Sequence, residues 1–478
     1  MNIPEYVIKT TSALKKGRFE AYIVGGCVRD FLMGKEPKDW DITTNAKPEE
    51  ILAIFENAKY ENNFGTVLLP IREGEVLKDV LEITTYRSEQ GYSDRRHPDV
   101  VLFEEKLDKD LERRDFTINA LALNPENPEE VIDLFGGRKD IKLKIIRAVG
   151  EPSDRFKEDD LRMLRAVRFS SQLGFELEPK TQRGIVKLAG SLKFVSKERI
   201  KDELIKILAS DRPADGIMLL HDCKLLQYII PELEQGVDVK QDRHHIYNVF
   251  KHNVLALKTC PSKEWQVRFA ALLHDIAKPK TRKIIDNIAT FYNHEYVGAK
   301  MVDKIMTRLK FSNEDRIRTV NLVKNHMFYY NVGEVTAASV RRLIVKVGKE
   351  NLKDLIDLRI ADRLGSGTPK AMPYKLRHLQ YMMEMVQNDP ISVKMLKING
   401  DDLMNVLNIA PGPKIGAILD VLLSEVIENP ELNDKAGLSE KAKELDKLNL
   451  EELRLRAKEV IEEKRAEEDK NIKKQYKV

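Results

Sequence analysis

The residues of this chain best equipped for chemistry fall into two constellations. In the first, Gly25-Gly26-Cys-Val-Arg29-Asp30 follows the β-branched run Ala21-Tyr-Ile-Val24 and opens a helical segment. Backbone N–H groups at such a side-chain-free corner can come close to phosphate oxygens. Downstream stands Asp39-Trp40-Asp41-Ile42. In an extended segment residues i and i+2 share a face, so the two carboxylates can hold the same metal ions. Hard carboxylate oxygens suit Mg²⁺, which also binds substrate phosphates. Taken singly, these patterns also describe an ordinary turn and a solvated strand end. Together they supply what phosphoryl transfer to a hydroxyl needs, a phosphate cradle beside a metal-binding carboxylate pair. Glu82, in Leu81-Glu-Ile-Thr-Thr-Tyr-Arg87, is the candidate third carboxylate, although the same pattern describes an outward-facing strand Glu.

The second constellation is rich in histidine. His244, His245, His252, His274, His294 and His326 are six of the nine histidines, and Asp275 and Asp362 lie among or just beyond them. Imidazole and carboxylate ligands scattered over helices can converge on one transition metal or Mg²⁺. The adjacent His274-Asp275 is the distinctive feature, set between the apolar run Phe269-Ala-Ala-Leu-Leu273 and Ile276-Ala-Lys-Pro279.

Three further motifs extend the first constellation: Arg113-Arg-Asp-Phe-Thr-Ile-Asn119, Glu158-Asp-x-x-Arg162 and Val195-Ser-x-Glu-Arg-Ile200. With the glycine corner and the Asp pair they stand in the order seen in class II tRNA nucleotidyltransferases and bacterial poly(A) polymerases. The chain resembles that family over roughly its first 230 residues. The resemblance implies catalytic Asp39, Asp41 and Glu82 with Mg²⁺. It also implies a nucleotide site of Gly25, Gly26, Arg29, Arg114, Asp115, Asn119, Asp159, Arg162 and Arg165. In it Arg114 lies near phosphate, Asp115 at the ribose hydroxyls, and Asn119 supports both. Without the resemblance, Arg113-Arg114-Asp115 would read as a salt cluster at a helix start.

Asp159 and Arg162 are three apart in a stretch that reads as helical, which puts them on one face. Facing a base edge, the carboxylate accepts from an exocyclic amino group and the guanidinium donates to the neighbouring ring nitrogen or carbonyl. Cytosine and adenine satisfy that pair; uracil and guanine leave polar groups unpaired, at about 1–3 kcal/mol each. The segment Ser88 to Lys109, with Gly91-Tyr-Ser-Asp-Arg-Arg-His-Pro98, reads as a polar loop. In the resembled family a loop here helps the pocket switch from C to A.

Residues 241–367 resemble an HD-superfamily phosphohydrolase domain, which implies His252, His274, Asp275 and Asp362 as metal ligands and Lys278 as a phosphate contact. The divalent metal is not specified. His294 and His326 would bind a second metal or position substrate, and 2′,3′-cyclic phosphates or phosphomonoesters on tRNA ends are the implied substrates.

The elements that must position these groups divide the chain. Up to Asp133 short β-branched runs alternate with helical segments; from Arg155 onward apolar residues recur at helical spacing, as in Leu161, Leu164, Val167 and Ile200, Leu204, Ile207, Leu208. The expected fold class is α+β: a small mixed-sheet, polymerase-β-like nucleotidyltransferase head, then an extended, almost all-helical neck, body, HD domain and tail. The expected segments are 1–147 (head), 148–235 (neck and body, nucleotide selection and tRNA binding), 236–370 (HD domain) and 371–478 (tail). Breaks are expected near Glu151-Pro152, Pro231-Glu232, Gly365-Ser-Gly-Thr-Pro369 and Asn429-Pro430. Ile398 to Gly416 reads as two helices joined by a Gly/Pro turn whose Lys414 either meets a phosphate or serves the connection. The last forty or so residues read as a charged helix, solvated or touching RNA.

Composition narrows the class. The chain has 478 residues, 81 Lys plus Arg against 77 Asp plus Glu and a net charge of +4, so RNA binding must come from local clusters of charge. Cys27, Cys223 and Cys260 form no CxxC pattern, and no stretch has the apolar length of a membrane span. The expectation is a cytoplasmic protein with reduced thiols, no membrane partner and no pattern that specifies an oligomeric state. CTP and ATP are the expected donors and tRNA the acceptor. The alternatives are a poly(A) polymerase of the same class, or a tRNA-binding HD phosphohydrolase whose head only binds.

Overall fold

The computed structural model describes residues 3–62, 64–92, 98–241, 246–328, 330–331, 335–368, 370–386 and 392–456. His244 and His245, the tip of the expected loop (93–97), Pro369 and the tail beyond 456 lie outside them.

The head is one mixed sheet. Its strands are β1 (Ala21–Val24), β2 (Asp41–Thr44), β3 (Lys59–Asn62), β4 (Thr66–Glu73) and β5 (Val76–Thr85), joined after the hairpin β6 (Arg87–Gln90) and β7 (Val100–Phe103) by β8 (Leu121–Leu123) and β9 (Val131–Asp133). The sheet order is β3-β4-β5-β2-β1-β8-β9, and β6 pairs only with β7. All neighbours are antiparallel except β2 and β5, which run parallel with Asp41 opposite Glu82 and Ile42 opposite Ile83. Strand alternation sorts the two faces. Ile23, Ile42, Ile83, Leu121 and Leu123 pack with Val7, Leu14 and Ile51 of the helices Glu5–Lys16 and Pro48–Ile54. Asp41, Thr43, Glu82 and Thr84 are therefore left for the opposite face.

Behind the head the chain is helical, and a single hydrophobic core runs from Phe116 through Phe156, Ile207 and Phe269 to Ala361. Neck, body and HD segment share this core, so no separate core begins at residue 236. A smaller cluster joins Val340, Ile344, Ile356 and Ile360 to Leu376, Leu379 and Met383. A third lies within 396–453 and packs the helices Gly400–Leu407, Pro413–Glu428 and Lys435–Leu445. The expected breaks appear as a helix start at Pro152, helix Pro231–Glu234, and helix ends at Gly365 and Glu428. Among the described residues no helix is long and apolar enough to cross a membrane.

Two local expectations need correction, and one detail is added to the helical part. Ser88 to Lys109 is not a plain loop: its flanks pair as β6–β7 and helix Leu107–Glu112 follows. Among the described residues the otherwise helical part holds a few short strands, the parallel pair Ile145–Ile146 with Glu176–Leu177 and the hairpin Lys283–Ile285 with Ile288–Thr290. That hairpin turns through Asp286 and Asn287, both with positive φ (51° and 60°), the backbone of a type I′ turn. Finally, the helix expected to carry Asp159 and Arg162 together is broken. One helix ends at Glu158 and the next begins at Arg162, while Asp159 is extended at φ −143°, ψ 106°.

Candidate active sites

The head site begins at Gly25, whose φ of 88° favours glycine and which caps helix Gly26–Leu32. A Cβ on Gly25 would lie 3.0 Å from Nη1 of Arg114 and 3.7 Å from Oδ2 of Asp41. The bare corner, a cation and a carboxylate thus meet at one point. Glu82 stands beside Asp41 by strand register. Burial and the neighbouring negative charges, Asp39 among them, push the carboxyls of Asp41 and Glu82 above their ordinary values. Three mutually repelling carboxylates suit a divalent cation. Among the described residues they are not gathered as tightly as the histidine sets below.

The arginines of Arg113-Arg114-Asp115 are held from behind by Asp110, which is fully buried on helix Leu107–Glu112. Its Oδ1 accepts from Nε and Nη2 of Arg113 at 3.0 and 2.7 Å, and its Oδ2 from Nη2 of Arg114 at 3.0 Å. Thr43 of β2 donates to the same Oδ2. Arg114 keeps Nη1 at the Gly25 corner. Asp115 accepts from the Asn119 amide at 3.1 Å and from Nε and Nη2 of Arg165 at 2.8 and 2.6 Å. Burial alone would push its carboxyl up, but Arg165 and Asn119 outweigh it and hold it at about 2. Arg29 donates to Asn119 at 2.7 Å and to Asp30. Arg29, Asn119, Asp115 and Arg165 therefore form one hydrogen-bonded row, with Arg29 and Arg165 also over the Phe169 ring.

Asp159 and Arg162 are brought near this row but not to each other. Asp159 takes a two-pronged pair from Arg199 (3.1 and 2.8 Å). Arg162 bonds Glu158 and the carbonyls of Arg155 and Arg113. Arg199 and Asp110 were not singled out from the sequence. Arg199 lies inside Val195-Ser-Lys-Glu-Arg-Ile200, and the i, i+3 and i+4 spacing of Asp110 to Arg113 and Arg114 was legible.

The histidine constellation is more compact. His252 stands on helix Val249–Thr259, His274 and Asp275 follow helix Trp265–Leu273, His294 opens helix His294–Arg308, His326 ends helix Asn313–Asn325, and Asp362 lies on helix Leu352–Gly365. Among the described residues two sets of donors could each hold an ion: His252, His274 and Asp362, and Asp275, His294 and His326. Asp275 links them. Its Oδ2 is 3.1 Å from His252 Nε2 and its Oδ1 is 3.1 Å from His294 Nε2. The Nδ1 atoms of His274, His294 and His326 each face the carbonyl three residues earlier, at 2.8, 2.8 and 2.7 Å. A proton held there leaves each Nε2 lone pair for a metal.

Lys278 bonds Oδ2 of Asp275 and Oε1 of Gln241, both at 2.6 Å. It lines a cavity of about 550 Å³ together with Asp275, His294, His326, Arg359, Asp362 and Arg363. Three cations thus border these candidate metal ligands on the open side, Arg359 pairing with Oδ2 of Asp362 at 2.7 Å, an arrangement that suits a phosphate ester. Arg359 and Arg363 were missed in the sequence, although one flanks Asp362 at i−3 and the other follows it directly. Lys414, by contrast, bonds Asp446 and serves the packing of its own helices.

Residues 21–147 match the poly A polymerase head domain family, 174–236 a family described as a probable RNA- and SrmB-binding site of polymerase A, and 245–366 the HD domain family. The chain is 35% identical to a CCA-adding enzyme of Ligilactobacillus salivarius over 93% of its own length and 98% of that protein. It is 33% identical to an A-adding tRNA nucleotidyltransferase of Deinococcus radiodurans, over 84% and 90%. The crystal structure of a Bacillus stearothermophilus CCA-adding enzyme in complex with CTP superimposes with a TM-score of 0.68 at 26% identity, covering 93% of this chain and 97% of that one. Fold, site geometry and full-length similarity agree that the chain belongs to the class II tRNA nucleotidyltransferase family, that of the CCA-adding enzymes, and carries an HD domain behind the polymerase head.

Proposed function

We propose that the protein adds CCA, or part of it, to tRNA 3′ ends from CTP and ATP without a template. The observation that carries this reading is the convergence of Asp41, Glu82 and Arg114 at the Gly25 corner, with Asp39 beside them. Asp39, Asp41 and Glu82 would hold Mg²⁺; when bound, it lowers the pKa of the attacking 3′ hydroxyl and offsets charge on the departing pyrophosphate. Arg114 binds the triphosphate from the Gly25–Gly26 side. Asp115, fixed by Asn119 and Arg165, receives the ribose hydroxyls, and Arg29 keeps Asn119 in place. Asp159 and Arg162 read the base from separate supports, Arg199 and Glu158. The division of labour follows the segments 1–147, 148–235, 236–370 and 371–478.

The HD site is a metal-dependent phosphohydrolase in this reading, acting on 2′,3′-cyclic phosphates or phosphomonoesters of RNA ends. His252, His274, Asp275 and Asp362, with His294 and His326, would hold divalent ions, which when bound activate water for attack on phosphorus. Lys278, Arg359 and Arg363 bind the phosphate.

A second reading, addition of A alone, is favoured by the similarity to the A-adding tRNA nucleotidyltransferase of Deinococcus radiodurans. Offering the purified protein tRNAs that end before CCA, after C and after CC, each with single labelled nucleotides, tests both. CMP on the first two acceptors and AMP on the third supports CCA addition; AMP on the third alone supports A addition; long A tracts on any acceptor support a poly(A) polymerase instead.

A further inference from the structure

We infer that the outer face of helix Tyr374–Val386 is a docking strip for the unpaired 3′ end of an RNA whose terminal phosphate enters the HD cavity. The destination of that phosphate rests on the phosphohydrolase reading above; the strip rests on its own observations.

One face of this helix is accounted for. Leu376, Leu379, Met383 and Val386 are buried, the first three against Val340, Ile344, Ile356 and Ile360. The opposite face should carry the short charged side chains of a solvated helix. Instead Tyr374, His378, Tyr381 and Met385 follow one another along it, with Tyr374, Tyr381 and Met385 exposed by 64%, 56% and 62%. Large apolar side chains left together in water mark an interaction surface.

The rings define what kind. The Tyr374 and His378 centroids are 6.2 Å apart, and those of His378 and Tyr381 6.5 Å. The rings are tilted to one another by 45° and 50° rather than stacked, so their faces are not used up on each other and can serve as separate platforms for bases of a strand. Charge agrees at the end nearer the cavity: Lys370, Lys375, Arg377 and His378 precede the single acidic residue of the strip, Glu384, which lies near its far end beside Met385. Arg377, exposed, lies on the ring-bearing face at i+3 from Tyr374. Aromatic faces interleaved with cations suit unpaired RNA, whose base faces are accessible as those of a duplex are not.

The strip also leads somewhere. Gly367 and Thr368 line the HD cavity, and Arg363, another lining residue, bonds the Lys370 carbonyl just before the helix opens at Tyr374. A strand stacked on the rings would meet Arg363 and then the metal ligands.

The test uses the full chain and the double variant Tyr374→Ala/Tyr381→Ala, whose exposed rings are dispensable for folding. Two substrates are compared: cytidine 2′,3′-cyclic monophosphate, which fits the cavity alone, and a six-nucleotide RNA ending in a 2′,3′-cyclic phosphate. The expected result is a KM for the RNA raised about tenfold or more, with the KM for the mononucleotide unchanged. An unchanged KM for the RNA overturns the inference. A concentration-dependent dimer that the variant loses also overturns it, because the strip is then a contact between copies. If wild type hydrolyses neither substrate, the phosphohydrolase reading fails by itself. Photocrosslinking of a 4-thiouridine RNA then decides: crosslinks to residues 374–381 that the variant lacks sustain the strip, and their absence removes it.

Discussion

Asp41 stands directly opposite Glu82 across the parallel pair β2–β5, on the sheet face turned away from the helices Glu5–Lys16 and Pro48–Ile54. The next pair, Ile42 and Ile83, is fully buried on the other face. A one-residue slip of β5 would carry Glu82 into that core, so hydrophobic burial fixes Glu82 beside Asp41.

Glu82→Gln is accordingly expected to slow nucleotide addition by on the order of 10²–10³-fold, the several kcal/mol of charge stabilisation that a lost metal ligand removes. Single-turnover incorporation of labelled CMP checks this. Glu61→Gln, which alters a nearby charge felt by Glu82, should change the rate little.

Arg199→Ala should loosen base choice more than it slows chemistry, because Asp159 then loses two of its three orienting bonds and keeps only that from the Leu161 N–H. One mispaired group at about 1–3 kcal/mol corresponds to roughly 5- to 150-fold in selectivity. The ratio of UMP and GMP to CMP and AMP incorporation reads this out. Arg212→Ala, which breaks an exposed pair with Asp215, should leave the ratio unchanged.

The HD site should retain two divalent ions per chain after loading with Mn²⁺ and dialysis. His326→Ala should retain one, and Asp275→Asn, which weakens both sets, fewer than one. Elemental analysis measures this independently of any turnover, and nucleotide addition by both variants should equal wild type.

Asp115 predicts a pH dependence of stability. Its folded pKa, about 2, lies below the ordinary 3.8, so its contribution is present above about pH 4 and is lost as pH falls toward 2. Between pH 6 and pH 3 the wild type should lose about 1 kcal/mol more unfolding free energy than Asp115→Asn. Urea titrations at the two pH values check it.

Phe269→Ala should cost about 3–5 kcal/mol. Phe269 is fully buried in the core shared by neck, body and HD segment and stacks on Phe311 at 5.6 Å. Heating this variant should therefore remove base selection and HD hydrolysis in one transition, whereas independently folded segments would show two.

Much of the head was legible because its signals are local. Ala21-Tyr-Ile-Val24 is β1 to the residue, and Gly25-Gly26 is the corner from that strand into helix Gly26–Leu32. That Glu82 faces Asp41 depends on pairing between strands distant in sequence, which no local pattern encodes. The Asp159 and Arg162 pair failed for a related reason. Lys157-Glu-Asp-Asp-Leu161 holds no Gly or Pro to announce a break, and the extended Asp159 is satisfied by Arg199 from another helix. The hairpin at Asp286-Asn287 was readable, since two residues that tolerate positive φ stand between β-branched runs. In the HD segment the ligand types were visible, but their division into two sets follows from how the two oxygens of Asp275 point.

The most direct test of the account is nucleotide addition by Asp41→Asn on tRNA lacking CCA, measured beside hydrolysis of cytidine 2′,3′-cyclic monophosphate in the same preparation. The account predicts no labelled CMP or AMP on the tRNA and wild-type hydrolysis. Persistent incorporation by that variant would contradict it.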